Sequence, residues 1–281
     1  RDQPRSRGLG DVYKRQEFQW AVSANIGTYK TELTDLPSNV INKYAGDGVH
    51  DLILGRSPNS AYGLVADGIF KTQEEVDAHA DQPGKAVGRI RYKDLDGDGV
   101  INETYDRTWI GCYDPDFFGG LNFDFAYKGF DLNLFFEGMF GNDVNSDWKK
   151  ESDIWLFTNP AWKNHATRML GGWSPDNPNS DIPAISNNTA NQEQRFSSWF
   201  IEDGSYIKLR NIELGYTFPT KLIKKMHMSN LRLYAAAYNV FTLKKFWGDD
   251  KYTSFDPERP SYHYLTPVSY THLTLPTKLE V

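Results

Sequence analysis

The sequence predicts an all-β fold of antiparallel strands, and two observations support this expectation. Apolar and polar side chains alternate over residues 121–127 and again over 130–136, with only Lys128-Gly129 between the two runs. A period of two is typical of half-buried strands, and two such runs around a short turn predict a hairpin. The same alternation occurs over residues 17–26. Such runs are long enough to cross a bilayer as tilted strands, which takes about 9–11 residues, but a soluble sheet shows the same pattern.

The composition of the 281 residues excludes several classes of protein. No stretch approaches the roughly 18 consecutive apolar residues of a transmembrane helix, whereas a transmembrane β-barrel is compatible with a polar average. The net charge of −6 and the lack of a basic stripe argue against nucleic acid as the main partner. Cys112 is the single cysteine, so an intrachain disulfide and a cysteine metal cluster are both excluded.

The two ends of the sequence differ from the rest. Residues 1–16 and 267–281 resemble translated sequencing-adapter read-through at the edges of metagenomic contigs. We interpret both as non-native and exclude them from fold prediction; the alternative is that they are native termini. The chain also starts without Met or a signal peptide, which predicts that it is an internal piece of a longer protein.

The connections between the predicted strands alternate in length. Further strands are predicted at 206–218, 231–241 and near 262–265, so that long links (27–116, 141–204) alternate with short ones (128–129, 219–230), followed by a medium link at 243–261. Outer-membrane barrels have short periplasmic turns and long outer loops. The aromatic residues nearest the short turns suit an interfacial girdle: Phe18, Trp20, Tyr127, Phe130, Tyr216 and Phe218.

The first long link contains a helix signal and an acidic loop. Residues 72–80 predict a short helix, with Thr72 as N-cap and Glu75 completing a capping box. The acidic loop follows the first half of an EF-hand-type calcium loop, and its candidate ligands are Asp94, Asp96, Asp98, Asn102 and Asp106. Tyr105 stands where the twelfth-position Glu belongs, and Asp106 replaces it only with a bulge. The alternative is an Asp/Gly-rich turn held by side-chain to backbone hydrogen bonds.

Enzyme signatures are absent from the sequence. His79, His165 and His227 are scattered without metal-ligand spacing, and no nucleophile elbow, P-loop or Rossmann pattern is present. We therefore assign no catalytic residue and expect a protein that is not an enzyme.

Several sequence blocks together resemble the SusC/RagA family of TonB-dependent outer-membrane transporters. The blocks are GRIRYKDLDGDG at 88–99, GGLN at 119–122, YKGFDL at 127–132, DGSYIKLRNI at 203–212 and NVFT at 239–242. The resemblance covers about residues 17–266 and corresponds to the C-terminal part of the family's barrel. It implies a partial antiparallel transmembrane β-barrel, about six strands of a 22-stranded barrel with a plugged lumen and long extracellular loops.

The resemblance also implies a function for the parent protein. Such proteins import glycans or oligopeptides bound by a SusD-like surface lipoprotein, in the outer membrane of Gram-negative bacteria and in contact with its lipid. The TonB complex supplies energy through an N-terminal region that lies upstream of this piece. Substrate or lid contacts are expected in the long outer loops, where the candidates are Trp148, Trp155, Trp162, Trp173 and Trp199. The alternative for these residues is that they form small aromatic cores that order the loops.

Two hypotheses remain, and they predict opposite orientations of the strands. In a transporter, Phe123, Leu132, Leu134 and Leu214 face lipid, while Asn122, Asp131 and Asn133 line a wet lumen. In a soluble β-rich glycan-binding or adhesion module with a calcium-stabilised loop, the apolar set is buried in a closed core and the polar set is exposed.

Overall fold

The computed structural model describes residues 17–41, 52–154, 165–186, 189–244, 256–258 and 270–274. In chain order the strands are β1 (Phe18–Gly27), β2 (Ser60–Leu64), β3 (Ala66–Ile69), β4 (Ile90–Tyr92), β5 (Arg107–Cys112), β6 (Phe117–Tyr127), β7 (Phe130–Phe140), β8 (Asp143–Asn145), β9 (Ile201–Asp203), β10 (Tyr206–Thr217), β11 (Arg232–Lys244) and β12 (Tyr270–Thr274). The α-helices are α1 (Ser38–Ile41), α2 (Gln73–Ala78), α3 (Asp147–Asp153) and α4 (Thr220–Ile223). Short 3-10 turns cover Thr167–Gly171, Thr189–Asn191, Ser198–Phe200 and Lys224–Met226.

One antiparallel sheet dominates the fold and confirms the predicted all-β class. Its six strands lie in the order β1-β6-β7-β10-β11-β12. Five of the predicted strands form within a few residues of their expected ends, because their alternation of apolar and polar side chains suits a pleated sheet. The strand expected near 262–265 lies outside the described residues. Among the residues that the structure describes, none of the helices has both the length and the apolar character to cross a membrane.

The strand β12 lies within residues 267–281, the segment that the sequence predicts to be non-native. It pairs with β11, with Tyr234 opposite Thr274 and Tyr238 opposite Tyr270. Adding a strand to a sheet edge requires only extended backbone with free N–H and C=O groups. The pairing therefore gives no information on whether the segment is native, and its non-native origin stays a prediction. Residues 1–16 lie outside the described residues, and their non-native origin also stays a prediction.

Long and short connections lie at opposite ends of this main sheet. The β6–β7 turn brings Tyr127 opposite Phe130, and β7 in turn places Phe130 opposite Tyr216, next to the end of β10. The N–H of Thr217 donates to the carbonyl of Gly129, which ties the two short turns together. We call this edge the short-turn end and the opposite edge the long-loop end. The predicted asymmetry of the connections is therefore present in the structure.

The long connections are more ordered than the sequence predicts. The first long link, 27–116, for which the sequence predicts only one short helix, contains β2 to β5 and the two short helices α1 and α2; β2 pairs with β5 and β3 pairs with β4. The helix α2 starts as expected: the Thr72 side chain accepts from the N–H of Glu75 at 3.3 Å. Glu75 accepts in return from the N–H of Lys71 at 2.7 Å, one residue before the usual position in a capping box.

The hydrophobic core lies in the long connections rather than on the main sheet. Its buried members come from both long links: Leu64, Ile69, Ile90, Tyr92, Ile101, Ile154 and Phe200. Backbone pairing joins the two links, since the N–H of Leu64 donates to the carbonyl of Phe196 at 3.1 Å. We call the described residues of 52–112 and 142–205 the loop unit, because they share this core.

Candidate functional site

The main sheet has one apolar and one polar face, as the strand register shows. Phe123 pairs with Leu134, which pairs in turn with Ile212, so these three side chains point to one side. Asp124 pairs with Asn133 and Asn133 pairs with Glu213, on the other side. We call these the apolar face and the polar face. Neighbouring residues of each strand alternate between them, as the sequence predicts.

The apolar face is exposed in the described residues. Leu214 is 51% exposed, and Phe123, Leu132 and Leu134 are each partly exposed. The core described above contains none of them. This is the orientation that the transporter hypothesis requires, whereas the soluble-module hypothesis requires these side chains inside a closed core.

Aromatic rings cluster on the apolar face at the short-turn end. Phe130 contacts Tyr216 with ring centroids 4.5 Å apart, and Tyr216 contacts Phe218 at 4.9 Å. Phe18 lies farther along the same edge, 6.5 Å from Tyr127. Amphipathic rings in a band at one height suit the boundary between hydrocarbon and water. The predicted girdle therefore has the expected position on the sheet.

The polar face carries a ladder of hydrogen bonds that crosses the strands. The Asn133 amide nitrogen donates to Asn122 at 2.9 Å and to Asp124 at 2.7 Å, and Asn211 donates to Asn133 at 3.0 Å. Nearer the short-turn end, the Arg232 guanidinium bonds Asp131 and lies 2.7 Å from Glu213. Side chains that satisfy one another in this way form a polar surface rather than part of an apolar core.

A third group of residues folds onto the polar face from the segment after β11. The Lys208 ammonium is buried and lies 3.1 Å from Asp256 and 2.6 Å from Glu258. Arg210, which sits in a β-bulge of β10, contacts Glu258 and Glu137. Desolvation raises the pKa of Glu258, but hydrogen bonds from Arg210 and Lys208 outweigh it and lower the pKa to about 2. These ion pairs hold residues 256–258 against the long-loop end.

Three of the five predicted calcium ligands converge in the acidic loop. Ligand oxygens of Asp94, Asp96 and Asp106 all lie within 4.8 Å of one another. Asp106 is fully buried and accepts from the N–H groups of Leu95 at 2.8 Å and Asn102 at 2.7 Å. Asp98 is outside this group; it accepts from the N–H of Val100, and Asn102 accepts from the N–H of Thr104, just as Asp94 and Asp96 accept from backbone N–H groups. The calcium site itself stays a prediction.

The charges of the acidic loop act on one another. The N–H of Gly99 holds the pKa of Asp94 below its ordinary value, with help from the N–H of Gly97. The pKa of Asp96 is raised: the N–H of Asp98 lowers it, but desolvation and the charges of Asp98 and Asp106 together outweigh that bond. Carboxylates crowded in this way are the ligand type that calcium prefers.

The predicted tryptophans have different environments. Trp173 and Trp199 are half-buried and pack against the core of the loop unit, and the Lys149 ammonium lies 4.7 Å from the Trp199 ring. Trp148 is half-buried in α3, while Trp155 and Trp162 lie outside the described residues. The packing of Trp173 and Trp199 is what the aromatic-core alternative expects; a substrate or lid contact for the five tryptophans stays a prediction.

Sequence reasoning missed a buried ion pair that joins the two long links. The Arg89 guanidinium lies 2.8 Å from the Glu193 carboxylate, and both side chains are only 6% exposed. Glu193 also accepts from the N–H of Ile90 at 2.8 Å. Burial lowers the pKa of Arg89 and raises that of Glu193, so desolvation outweighs their mutual attraction. No spacing rule connects residues 104 positions apart, so this pair had no sequence signal.

No protein-family model matches the chain. Individual proteins do. A TonB-dependent receptor of Formosa agariphila is 32% identical over 243 residues, which make up 84% of this chain and 23% of the receptor. The TonB-dependent receptor SusC of Bacteroides thetaiotaomicron is 25% identical over 84% of this chain and 22% of SusC. The chain therefore spans about a quarter of the length of these relatives.

Solved structures show the same fold. The RagAB peptide transporter superposes with a TM-score of 0.65 at 23% identity, over 88% of this chain and 25% of the transporter chain. The RagAB peptide importer in its closed-closed state gives a TM-score of 0.62 at 22% identity. Sequence relatives and shared fold together confirm the resemblance: the chain belongs with the TonB-dependent receptors of the SusC/RagA type and corresponds to about a quarter of their length.

Proposed function

We propose that the chain is the C-terminal part of the barrel of a TonB-dependent receptor in the outer membrane of a Gram-negative bacterium. The observation that supports this most directly is the pairing of two features of the main sheet. Its apolar face is exposed, and its polar face carries a hydrogen-bonded ladder. A strand wall between lipid and a wet lumen requires that combination.

The ends of the sheet suggest a direction in the membrane. Short turns and an aromatic band share one end, and the loop unit lies at the other. In outer-membrane barrels the short turns are periplasmic and the long loops extracellular. The loop unit then faces the cell exterior, where a SusD-like surface lipoprotein and the substrate approach.

The whole receptor would import a glycan or an oligopeptide with that lipoprotein and draw energy from the TonB complex through its upstream region. The relatives carry names of receptors and the solved neighbours are described as peptide transporters, which supports transport rather than catalysis. The acidic net charge agrees with a partner other than nucleic acid.

Uptake by living cells tests this function. A strain that carries the complete gene is compared with a deletion strain and with a TonB-deficient strain, on panels of oligosaccharides and oligopeptides. We expect uptake of one panel member to require both the gene and TonB, and we expect an outer-membrane lipoprotein to copurify with the receptor. Uptake that survives loss of either component contradicts the proposal.

A further inference from the structure

A shallow cavity on the polar face lies next to the hydrogen-bonded ladder and shares Asn122 with it. It has a volume of about 320 Å³ and is lined by Ser23, Ala24, Asn25, Gly120, Asn122 and Phe135. Asn25 pairs with Gly120 and Ser23 pairs with Asn122, only a few residues from the long-loop end of β1 and β6. In the proposed orientation the cavity is therefore in the upper wall of the lumen, where a solute from outside arrives first.

Gly120 forms the floor of this cavity. A Cβ atom at this position would lie 3.0 Å from Cε2 of Phe135 and 3.4 Å from Nδ2 of Asn25. The phenyl ring and the amide nitrogen therefore approach the same point above the β6 backbone from opposite sides. Any larger residue at position 120 would fill the space between them.

The two walls differ in chemistry. Phe135 pairs with Asn122 and Asn211, so its ring stands on the polar face among amide and carboxylate side chains. On the other side, Oδ1 of Asn25 accepts from the N–H of Gly120 at 2.8 Å, which orients the amide so that its Nδ2 group is the donor above the floor. The Ser23 hydroxyl on the same strand adds a second polar group.

These groups suit a sugar better than a peptide. An apolar ring face contacts the C–H groups of a pyranose, while amide and hydroxyl groups bond its hydroxyls. None of the six lining residues is charged, and the neighbouring carboxylates of the polar face already have partners: Glu137, opposite Gly120, contacts Arg210, and Asp124 accepts from Asn133. The cavity lies at the small end of ligand sites, which suits one sugar unit of a longer chain.

We propose that this cavity binds a neutral sugar unit of a glycan substrate during import. The proposal rests on the proposed function, and it narrows the substrate from a glycan or peptide to a neutral glycan. Asn25 and Phe135 flank the Gly120 floor and act as binding residues for a sugar unit that lies above it, and Gly120 leaves this floor uncovered.

Calorimetric titration of the complete receptor in detergent tests the site. The probes are neutral oligosaccharide pools from starch, fructan, mannan and xylan, with a pool of short peptides as comparison. We expect one oligosaccharide pool to bind, and we expect Phe135→Ala and Asn25→Ala each to weaken it about tenfold, which corresponds to about 1.4 kcal/mol. Gln19→Ala is the matched control, since Gln19 shares the strand and face of Asn25 but lies near the short-turn end.

Cysteine labelling shows whether the cavity is open. In a Cys112→Ser background, Ser23→Cys should react with a membrane-impermeant maleimide, and the bound oligosaccharide should slow this reaction. A cysteine that stays unreactive without sugar would mean that another part of the receptor covers the cavity, which overturns the proposal.

The remaining outcomes separate this site from the general function. Oligosaccharide binding that is unchanged in Phe135→Ala and Asn25→Ala overturns the site but leaves the importer intact. Binding of the peptide pool alone, weakened by the same variants, overturns the sugar assignment. A receptor that neither binds nor imports any probe overturns the proposed function, and the sugar site with it.

Discussion

The turn between β6 and β7 depends on two residues with left-handed backbone. Lys128 has φ of 48° and Gly129 has φ of 88°, which is the arrangement of a two-residue hairpin turn of type I′. A Cβ on Gly129 would also come within 2.8 Å of the carbonyl oxygen of Thr217. Glycine is therefore required at position 129 for two reasons: its left-handed backbone conformation and its close contact with the end of β10.

We expect Gly129→Ala to destabilise the hairpin by about 2 kcal/mol, because left-handed backbone is unfavourable for alanine and its Cβ would collide with the Thr217 carbonyl. The measurement is the fraction of receptor that stays folded on an unheated gel after refolding into detergent. Lys128→Asn is the control, since asparagine before glycine suits a type I′ turn. Equal folding of Gly129→Ala and the wild type would contradict this account.

The acidic loop gives the residue-scale test of calcium. Because Asp94, Asp96 and Asp106 converge while Asp98 is outside their group, the structure ranks the candidate ligands. We expect calcium to raise the thermal midpoint of the loop unit, and we expect Asp96→Asn to abolish that rise. Asp98→Asn should keep most of it. If calcium leaves the thermal midpoint of the wild type unchanged, the loop is a turn held by hydrogen bonds and is not a calcium site.

At the scale of elements, the two long links form one unit through backbone hydrogen bonds, a shared core and a buried ion pair. The Arg89–Glu193 pair holds the segment before β9 against β4. Loss of one partner leaves a buried charge without its counterpart, which typically costs about 3–5 kcal/mol. The pair is therefore a sensitive point of contact between the links.

We expect Arg89→Met to open the loop unit, with faster hydrogen exchange over residues 189–200 and unchanged exchange in β6 and β7. The double variant Arg89→Met with Glu193→Gln should be less destabilised than the single one, because no uncompensated charge remains. Equal exchange in Arg89→Met and the wild type would show that the core and the backbone hydrogen bonds join the links without the ion pair.

Residues 256–258 should respond to acid. The pKa of Glu258 is about 2 in the folded protein against an ordinary value of 4.5. A lowered pKa stabilises the folded state above the unfolded value, and this contribution is lost as the pH falls from 4.5 to 2. Because Glu258 is partly exposed, solvent weakens the effect.

Pepsin cleavage near residues 256–258 measures this response. We expect the cleavage rate, relative to that of an unfolded peptide, to rise as the pH falls from 4.5 to 2. Glu258→Gln should already be cleaved faster at pH 4.5, with a smaller further rise. A rate that is independent of pH in the wild type would show that Asp256 and the backbone hold the segment without Glu258.

Local patterns predicted some elements of this fold and not others. Alternation identified β1, β6, β7, β10 and β11 because each strand carries its own two-sided pattern, and Thr72 identified the start of α2. The strands β2 to β5 were missed because they are short and pair across gaps in sequence that no local pattern reports. The cavity around Gly120 was also missed, since it depends on three strands meeting.

At the scale of the whole molecule, the two faces of the main sheet make a direct prediction. Leu214 is on the apolar face and Ala21, opposite Asp124, is on the polar face. We expect a fluorophore at Leu214→Cys, in a Cys112→Ser background, to be quenched by lipids with brominated acyl chains. The same fluorophore at Ala21→Cys should instead be quenched by iodide in water. Reversal of this pattern would contradict the transporter orientation.

The position of the hydrophobic core has one more consequence. Because the members of the hydrophobic core cluster belong to the loop unit, that unit has its own interior, which the hydrophobic effect stabilises in water. The described part of the main sheet contributes no member to this cluster, and in the proposed orientation lipid hydrocarbon covers its apolar face. The two parts of the chain are therefore stabilised by different surroundings, the loop unit by water and the main sheet by lipid. We expect a change in the lipid to affect the strands and to leave the loop unit folded.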